Sequence, residues 1–529
     1  MTANRRTFLK QLGLGTVGLN LVSSLPVCLC AEVAGIGQLP RGTPESQGVS
    51  SAAILAFLSA IAESKHEFHS FIMVRHGQVI AEGWWAPYRK TARHMLYSLS
   101  KSFTSTAVGF AVSEGKLTAD APVTSFFPDD LPAAVSGNLA DLRIKHLLTM
   151  SVGHAKDSTP IITKEQNWVK SFLSLPIANA PGAVFLYNSG ATYMLSAIVQ
   201  KVTGQKVIDY LRPRLFEPLD INGMTWETCP RGINTGGWGL SLQTDALAKF
   251  GQFYLQNGVW NGRQVLPAAW IHEATTFKIQ QPAAEGSDLE KLKQTSDWHQ
   301  GYCYQFWRCR HNAFRGDGAF GQYAIVMAEQ DAVIAITSET SDMPGELRLV
   351  WEHLLPAMTD NALPADAPSE AQLKQKLASL ALPPPMAQPA SPTAARISGK
   401  SFQIESNAAG VRAVRFDFHR DACTFTLTDA NGEYPVRCGL EKWAEGQTNM
   451  PGTPPKLTVG DLRPVKVAAS GTWKDADTFV MTWRFYETPH HDTVTCRFDG
   501  DNLKVEYLNS ISEKSSRAET RPPLTGRAV

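Results

Sequence analysis

An excess of charge of either sign is missing from this sequence: 50 Lys and Arg stand against 49 Asp and Glu in 529 residues, a formal net charge of +1. A protein that gains affinity by neutralising nucleic-acid phosphates carries a clear basic excess, so nucleic acid is excluded as a principal partner. Cysteine is scarce, with 8 residues, and none past residue 31 forms a Cys-x-x-Cys pair. His272-Glu273 begins a His-Glu-x-x-His pattern, but Thr276 stands where the second histidine belongs. Neither spacing supports zinc. His490-His491 lies between two β-like runs and reads as neighbours facing opposite sides rather than sharing a metal. A Gly-x-Ser-x-Gly elbow and internal repeats are also missing. No apolar run downstream of the N-terminus is long enough to span a membrane. What remains is ordinary globular material, 43% hydrophobic and 19% charged, which excludes global disorder.

The N-terminus stands apart. Asn4-Arg5-Arg6-Thr7-Phe8-Leu9-Lys10 precedes a moderately apolar stretch from Leu12 to Val27 that ends at Cys28-Leu29-Cys30-Ala31. A twin arginine, a short apolar segment and a small-residue end read as a twin-arginine export signal over 1–31, cleaved near Ala31. The expected location is therefore periplasmic or otherwise extracytoplasmic. Loss of Arg5, Arg6 and Lys10 carries the mature chain from +1 to −2. Gly13-Leu14-Gly15-Thr16-Val17-Gly18 satisfies a dinucleotide-binding pattern literally, but no strand precedes it, and the match is accidental. Six cysteines remain after cleavage: Cys229, Cys303, Cys309, Cys423, Cys438 and Cys496. An oxidising compartment permits disulfides, yet the spacing names no partners.

Composition divides the mature chain. Residues 41–358 alternate helical and β-like apolar runs, as in an α+β domain. Phe71–Val74 and Val79–Ala81 flank a hairpin signal, and Gly321–Ser338 supplies a second pair of runs, so one antiparallel sheet is expected from both ends of this domain. Residues 359–394, with Pro383-Pro384-Pro385, read as a semi-rigid linker carrying a short helix near Glu370–Leu380. Residues 395–511 alternate in strand fashion, as in Thr478–Trp483, and form an all-β module. Residues 512–529 read as a polar, frayed tail.

Chemistry concentrates at Tyr97-Ser98-Leu99-Ser100-Lys101-Ser102-Phe103. Ser-x-x-Lys at a helix start puts hydroxyl and amine on one face, one turn apart. A lysine there acts as a base when burial populates its neutral form. The pattern recurs at Ser113-Glu114-Gly115-Lys116, where Gly115 and Lys116 read as a helix C-terminus, so spacing alone is weak.

Further segments appear in order: Glu114–Val123, Ile144–Met150, Pro181-Gly182-Ala183-Val184-Phe185-Leu186-Tyr187-Asn188-Ser189, Gly236–Leu242 and Gly321-Gln322-Tyr323. Together they resemble the class C β-lactamase and penicillin-binding-protein-like serine hydrolases over roughly 41–355. The resemblance implies an α+β fold, an antiparallel sheet flanked by helices plus a helical subdomain, here followed by the small all-β domain. It implies an acyl-enzyme mechanism in which Ser98 is the nucleophile and Lys101 and Tyr187 exchange protons, either being the formal base. Gly316, Gly318 and Gly321 would belong to the oxyanion strand and third motif, and Ser189, Arg315 and Trp307 to the substrate pocket. No cofactor and no metal are implied.

Two departures bear on substrate. The family's Tyr-x-Asn is Tyr187-Asn188-Ser189, and the third-motif cation position falls on Ala313, with His311 and Arg315 as nearby stand-ins. Both weaken recognition of acylamino and carboxylate groups. They suit the family's esterases and small-amide hydrolases, with a small-molecule ester or amide as the partner. Alternatives are a cell-wall-derived peptide, a penicillin-binding sensor of the same fold, or a β-lactamase or D-Ala carboxypeptidase. The aromatics Trp298, Tyr302, Tyr304, Phe306 and Trp307 are either a core strand or an apolar acyl wall. Trp443, Trp473 and Trp483 read as core of the β module.

Overall fold

The apolar runs at the two ends of the first domain do meet. In the computed structural model, which describes residues 38–454, 464–515 and 517–529, Ile72 pairs with Ala335 and Val74 with Val333 across one sheet. The expected leader at 1–31 lies outside the described residues. The strands here are β1 (Glu67–Arg75), β2 (Gln78–Trp84), β3 (His94–Met95), β4 (Thr225–Trp226), β5 (Leu240–Leu242), β6 (Val259–Trp260), β7 (Arg263–Gln264), β8 (Trp307–Arg308), β9 (Phe314–Gly318), β10 (Gln322–Met327) and β11 (Ala332–Glu339). Six of them form the antiparallel sheet in the order β2-β1-β11-β10-β9-β8.

Both faces of the sheet are covered, which is why its central strands read as continuous apolar runs rather than alternations. On one face Phe71, Met73, Ile325 and Ile334 pack with Phe57 and Leu58 of the helix Ser51–Glu63 and with Leu347 and Leu354. On the other, Ile72, Val74, Ala324 and Val333 pack with Phe250 and Phe253 of the helix Thr244–Leu255. Beyond that face lies the helical subdomain, with Ser100–Ser113 and Ser189–Thr203 at its centre. The helix Ala367–Ala378 lies against β2, and Leu380 reaches Gly83 closely enough that a Cβ there would sit 2.6 Å from Leu380. The front of the expected linker is thus packed onto the first domain.

The second domain is a closed barrel of β12 (Ser401–Ile404), β13 (Ala413–Phe418), β14 (Ala422–Thr428), β15 (Glu433–Leu440), β16 (Ala444–Thr448), β17 (Val465–Trp473), β18 (Thr478–Arg484), β19 (His491–Asp499), β20 (Asn502–Asn509) and β21 (Leu524–Ala528). A short parallel pairing, Gly439 with Ser470 and Leu440 with Gly471, joins β15 to β17 and closes the sheet. Phe402, Phe416, Phe425, Trp473, Phe479, Trp483 and Phe498 fill the interior. Trp473 and Trp483 are core, as expected; Trp443 is half-buried and donates to the Leu382 carbonyl.

The polar tail expected at 512–529 is corrected here. Leu524–Ala528 is a strand inserted between β12 and β20, pairing Phe402 with Ala528 and Leu503 with Gly526. Only Leu524 is fully buried in it, so the apolar signal was too thin to read. Main-chain hydrogen bonds to two otherwise open edges hold the strand instead. All six cysteines are buried and free, although Cys423 and Cys438 are cross-strand partners.

The domains meet at the β18–β19 turn. Met95 N–H donates to the Glu487 carbonyl (2.9 Å), the Tyr88 hydroxyl donates to the Thr488 carbonyl (3.2 Å), and Arg484 forks onto Glu67 at 2.6 and 3.2 Å.

Candidate active site

The helix Ser100–Ser113 is apolar on one side, where Phe103 stacks on Phe250 with centroids 4.0 Å apart. Its other buried side carries hydroxyls that bond to loops: Ser102 donates to the Gln305 carbonyl (2.9 Å) and Thr104 to the Gly236 carbonyl (2.9 Å). The Thr104 bond draws the loop Gly236-Gly237 onto the helix. A Cβ on Gly237 would lie 2.9 Å from the Ser189 carbonyl oxygen, so glycine is what allows the loop to lie against the start of the helix Ser189–Thr203.

Lys101 Nζ donates to Ser98 Oγ (2.9 Å), Ser189 Oγ (2.9 Å) and the Gly237 carbonyl (2.7 Å), and it lies 4.7 Å from the centroid of the Tyr187 ring. Every one of these acceptors is neutral. Lys101 is 1% exposed, and burial pulls its pKa from 10.5 down to about 7, with Asp157 and Asp317 opposing more weakly. Burial pushes Tyr187 the other way, above the usual phenol range, against the opposing effect of a hydrogen bond to Ser98. Ser98 itself is only partly buried and remains reachable. The serine, lysine and tyrosine expected from the motifs are therefore one cluster.

Tyr187 precedes the helix Ser189–Thr203, whose N-cap Asn188 accepts from Gly190 N–H. Asn188 also accepts from Ser158 Oγ (2.7 Å) and contacts His154, so it ties the 154–158 loop to the site from a buried position. Ser189 faces Lys101. Trp307 stacks on Tyr187 (5.5 Å), and Tyr302 meets Tyr187 and Phe185 edge-on or tilted. The aromatic run thus divides: Tyr302 and Trp307 wall the site, while Phe306 joins Phe250 and Tyr254 in the core.

Strand β9 runs past the Ser98 turn. A Cβ at Gly316 would be 3.2 Å from Leu99, and one at Gly318 would be 2.1 Å from the Leu96 carbonyl oxygen, so these glycines permit the contact. Gly321 is at the β9–β10 turn with φ +93°, its carbonyl accepting from Ser338 Oγ. Arg315 needs correction as a pocket residue. Its guanidinium is fully buried, bonded to Asp317 (2.8 Å) and to the Asp297 carbonyl (2.9 Å) and stacked over Trp298. His311 packs on Trp351, and Ala313 is buried. Of the two stand-ins, Arg315 is thus committed to Asp317, and His311 is an exposed residue lying against Trp351. Asp157 and Asp317 near Lys101 had no motif to announce them.

The histidine pair is corrected as well. His490, the last residue of the β18–β19 turn, and His491, the first of β19, both reach Glu339 at the end of β11, at 2.7 and 3.3 Å. Glu67, Glu339 and His491 lie close enough to suggest metal ligation, but Arg484 and Lys514 already pair with the two carboxylates.

Residues 64–358 match the family model described as Beta-lactamase, and the chain belongs to that family. It is 25% identical to the 6-aminohexanoate-dimer hydrolase of Paenarthrobacter ureafaciens over 58% of this chain and 82% of that protein. It is 28% identical to Esterase EstB of Burkholderia gladioli over 28% of this chain and 44% of that protein. The octameric penicillin-binding protein homologue of Pyrococcus abyssi superposes with a TM-score of 0.45 at 15% identity, covering 90% of this chain and 99% of that one. Hydrolases, including an esterase, are thus among its relatives.

Proposed function

We propose that the protein is an exported serine hydrolase that cleaves small carboxylic esters or amides through an acyl-Ser98 intermediate. One observation carries this reading: Lys101, buried and without a carboxylate partner among the described residues, donates to Ser98 at 2.9 Å with its pKa lowered to about 7. Near neutral pH a large share of such lysines is uncharged and can accept a proton. Lys101 is accordingly the base and Tyr187, whose phenolate is disfavoured, the proton carrier.

The step balances simply. Neutral Lys101 takes the Ser98 hydroxyl proton as Oγ bonds to the substrate carbonyl carbon and the carbonyl π pair moves to oxygen. The Ser98 N–H and an N–H of β9 beyond Gly316 receive that oxyanion, a contribution of about 3 kcal/mol per donor in such sites. Collapse breaks the bond to the leaving group, which takes a proton from Tyr187, itself resupplied by Lys101. Water then repeats the sequence and frees Ser98.

Esters and small amides are favoured over β-lactams because Arg315, the cation of the third-motif strand, is committed to Asp317 rather than offered to a substrate carboxylate. The relatives named for a dimer of an amino acid and for an esterase support the same class.

Labelling with a fluorophosphonate probe and with fluorescent penicillin, beside turnover of p-nitrophenyl esters, tests the proposal. Probe labelling and ester turnover that both vanish in Ser98→Ala are expected. Turnover that survives in Ser98→Ala would sink the reading, and penicillin labelling without ester turnover would replace it with the sensor. Fractionation of cells expressing the full chain, with and without Arg5-Arg6→Lys-Lys, tests export.

A further inference from the structure

The residue before Ser98 is held from the other domain. Tyr97 has φ +48°, a left-handed conformation that is uncommon for an aromatic residue and persists only when its surroundings enforce it. Its buried hydroxyl hydrogen-bonds His490 Nε2, and His490 belongs to the barrel's β18–β19 turn. The opposite ring nitrogen, Nδ1, faces Glu339 Oε1 at 2.7 Å. The ring thus bridges the Tyr97 hydroxyl and the Glu339 carboxylate through its two nitrogens.

The same imidazole touches the other side of the site. Phe320, at the β9–β10 turn and also left-handed (φ +68°), meets the His490 ring edge-to-face at 4.9 Å and the Tyr97 ring at 5.5 Å. The Phe320 carbonyl is pinned by Thr340 N–H (3.0 Å) and Ser338 Oγ (2.8 Å), on either side of Glu339. His490 is therefore wedged between the turn that carries Ser98 and the turn that ends β9. It is 1% exposed, and its own turn is anchored by the Met95–Glu487 main-chain bond at the strand leading into Tyr97.

We propose that His490 is a positioning residue by which the barrel domain sets the Ser98 turn against β9. The proposal rests on the reading of Ser98 as nucleophile, since those two segments would supply the two oxyanion donors. Tyr97 is too deeply buried to react, so the Tyr97–His490–Glu339 chain acts on backbone geometry rather than on substrate. Small displacements of such donors are costly: about 1 Å can lower a rate by about 100-fold.

The test uses the full chain. His490→Ala and Tyr97→Phe are expected to lower kcat for p-nitrophenyl butyrate about tenfold, with KM within about twofold. His490→Gln, whose amide can bond to both Tyr97 and Glu339, is expected to recover most of the loss. Hydrogen exchange gives a readout that does not need turnover: amides of residues 95–100 should exchange faster in His490→Ala while the barrel strands stay protected. Unchanged kcat and unchanged exchange in both folded variants overturn the proposal. So does a loss that glutamine leaves unrepaired and that accompanies faster exchange throughout the barrel. If the parent shows no Ser98-dependent labelling but exchange at 95–100 still responds to His490→Ala, the function proposed for Ser98 fails while the brace stands.

Discussion

Two buried polar clusters lie on either side of the Ser98 turn, and they treat charge in opposite ways. At Lys101 a single cation is surrounded by hydroxyls and a carbonyl, and its charged form is disfavoured. At the domain junction Glu67 and Glu339 are met by Arg484, Lys514 and two histidines. Burial alone would raise both carboxyls; the Arg484 charge at Glu67 and the His490 hydrogen bond at Glu339 lead the effects that instead hold them well below the usual range. A second buried lysine sharpens the contrast, for Lys249 faces Asp245 at 3.5 Å and bonds the Asp220 carbonyl at 2.9 Å. Burial with a partner gives a fixed charge that holds structure together. Burial without one gives a group whose proton is loosely held, which is what base catalysis requires.

Removing the unpaired cation should have the largest effect on rate. Lys101→Met is expected to lower ester kcat/KM by about a thousandfold or more, since deleting one member of a cooperating set disables the unit. The same change should leave the melting temperature equal or higher at pH 7, because a buried cation without an acid is itself unfavourable. A large drop in melting temperature would show that Lys101, like Arg484, holds the fold together.

The junction should respond in reverse. Arg484→Met strips Glu67 of its principal partner and is expected to cost about 3 kcal/mol of stability, measured by denaturant unfolding, because an uncompensated buried charge remains. Its effect on kcat should be much the smaller of the two.

The pH dependence follows from Lys101. Its folded pKa, about 7, lies below the unfolded value near 10.5, so between these the unfolded chain holds more protons and stability rises with pH. The difference in melting temperature between Lys101→Met and the parent should therefore shrink from pH 7 to pH 10. The kcat/KM profile of the parent should climb to a plateau with an apparent pKa of about 7. A flat profile from pH 5 to pH 9 would deny Lys101 the role of base.

The smallest change concerns the wall. Trp307→Leu removes the stacked partner of Tyr187 and is expected to raise KM severalfold with kcat altered less. A reversed split would make Trp307 a support for Tyr187 rather than a surface for substrate.

The sheet was legible because apolar periodicity is local: Phe71–Val74 and the runs after Gly321 announce strands whoever their partners are. Ser98 and Lys101 were legible for the same reason, being one helical turn apart. Tyr187 needed a resemblance, since nothing in its own neighbourhood points to a serine 89 positions away. The strand Leu524–Ala528 was missed because only one of its side chains is deeply buried, and the two edges it covers come from distant parts of the chain. His490 and His491 were misread by strand alternation, because His490 lies in the turn and only His491 in β19, so the alternation of a regular strand does not hold across the pair.

By itself the sequence determined the fold class, the two-part layout and the Ser98–Lys101 pair, all of which depend on composition, period and short spacing. Tertiary structure decided what burial and partners decide: that Lys101 bonds no acid among the described residues, that Arg315 is spent on Asp317, and that a histidine of the barrel sits between the two turns of the site. Those are long-range encounters, and the free energy of a charge depends on what surrounds it in space rather than on its neighbours along the chain.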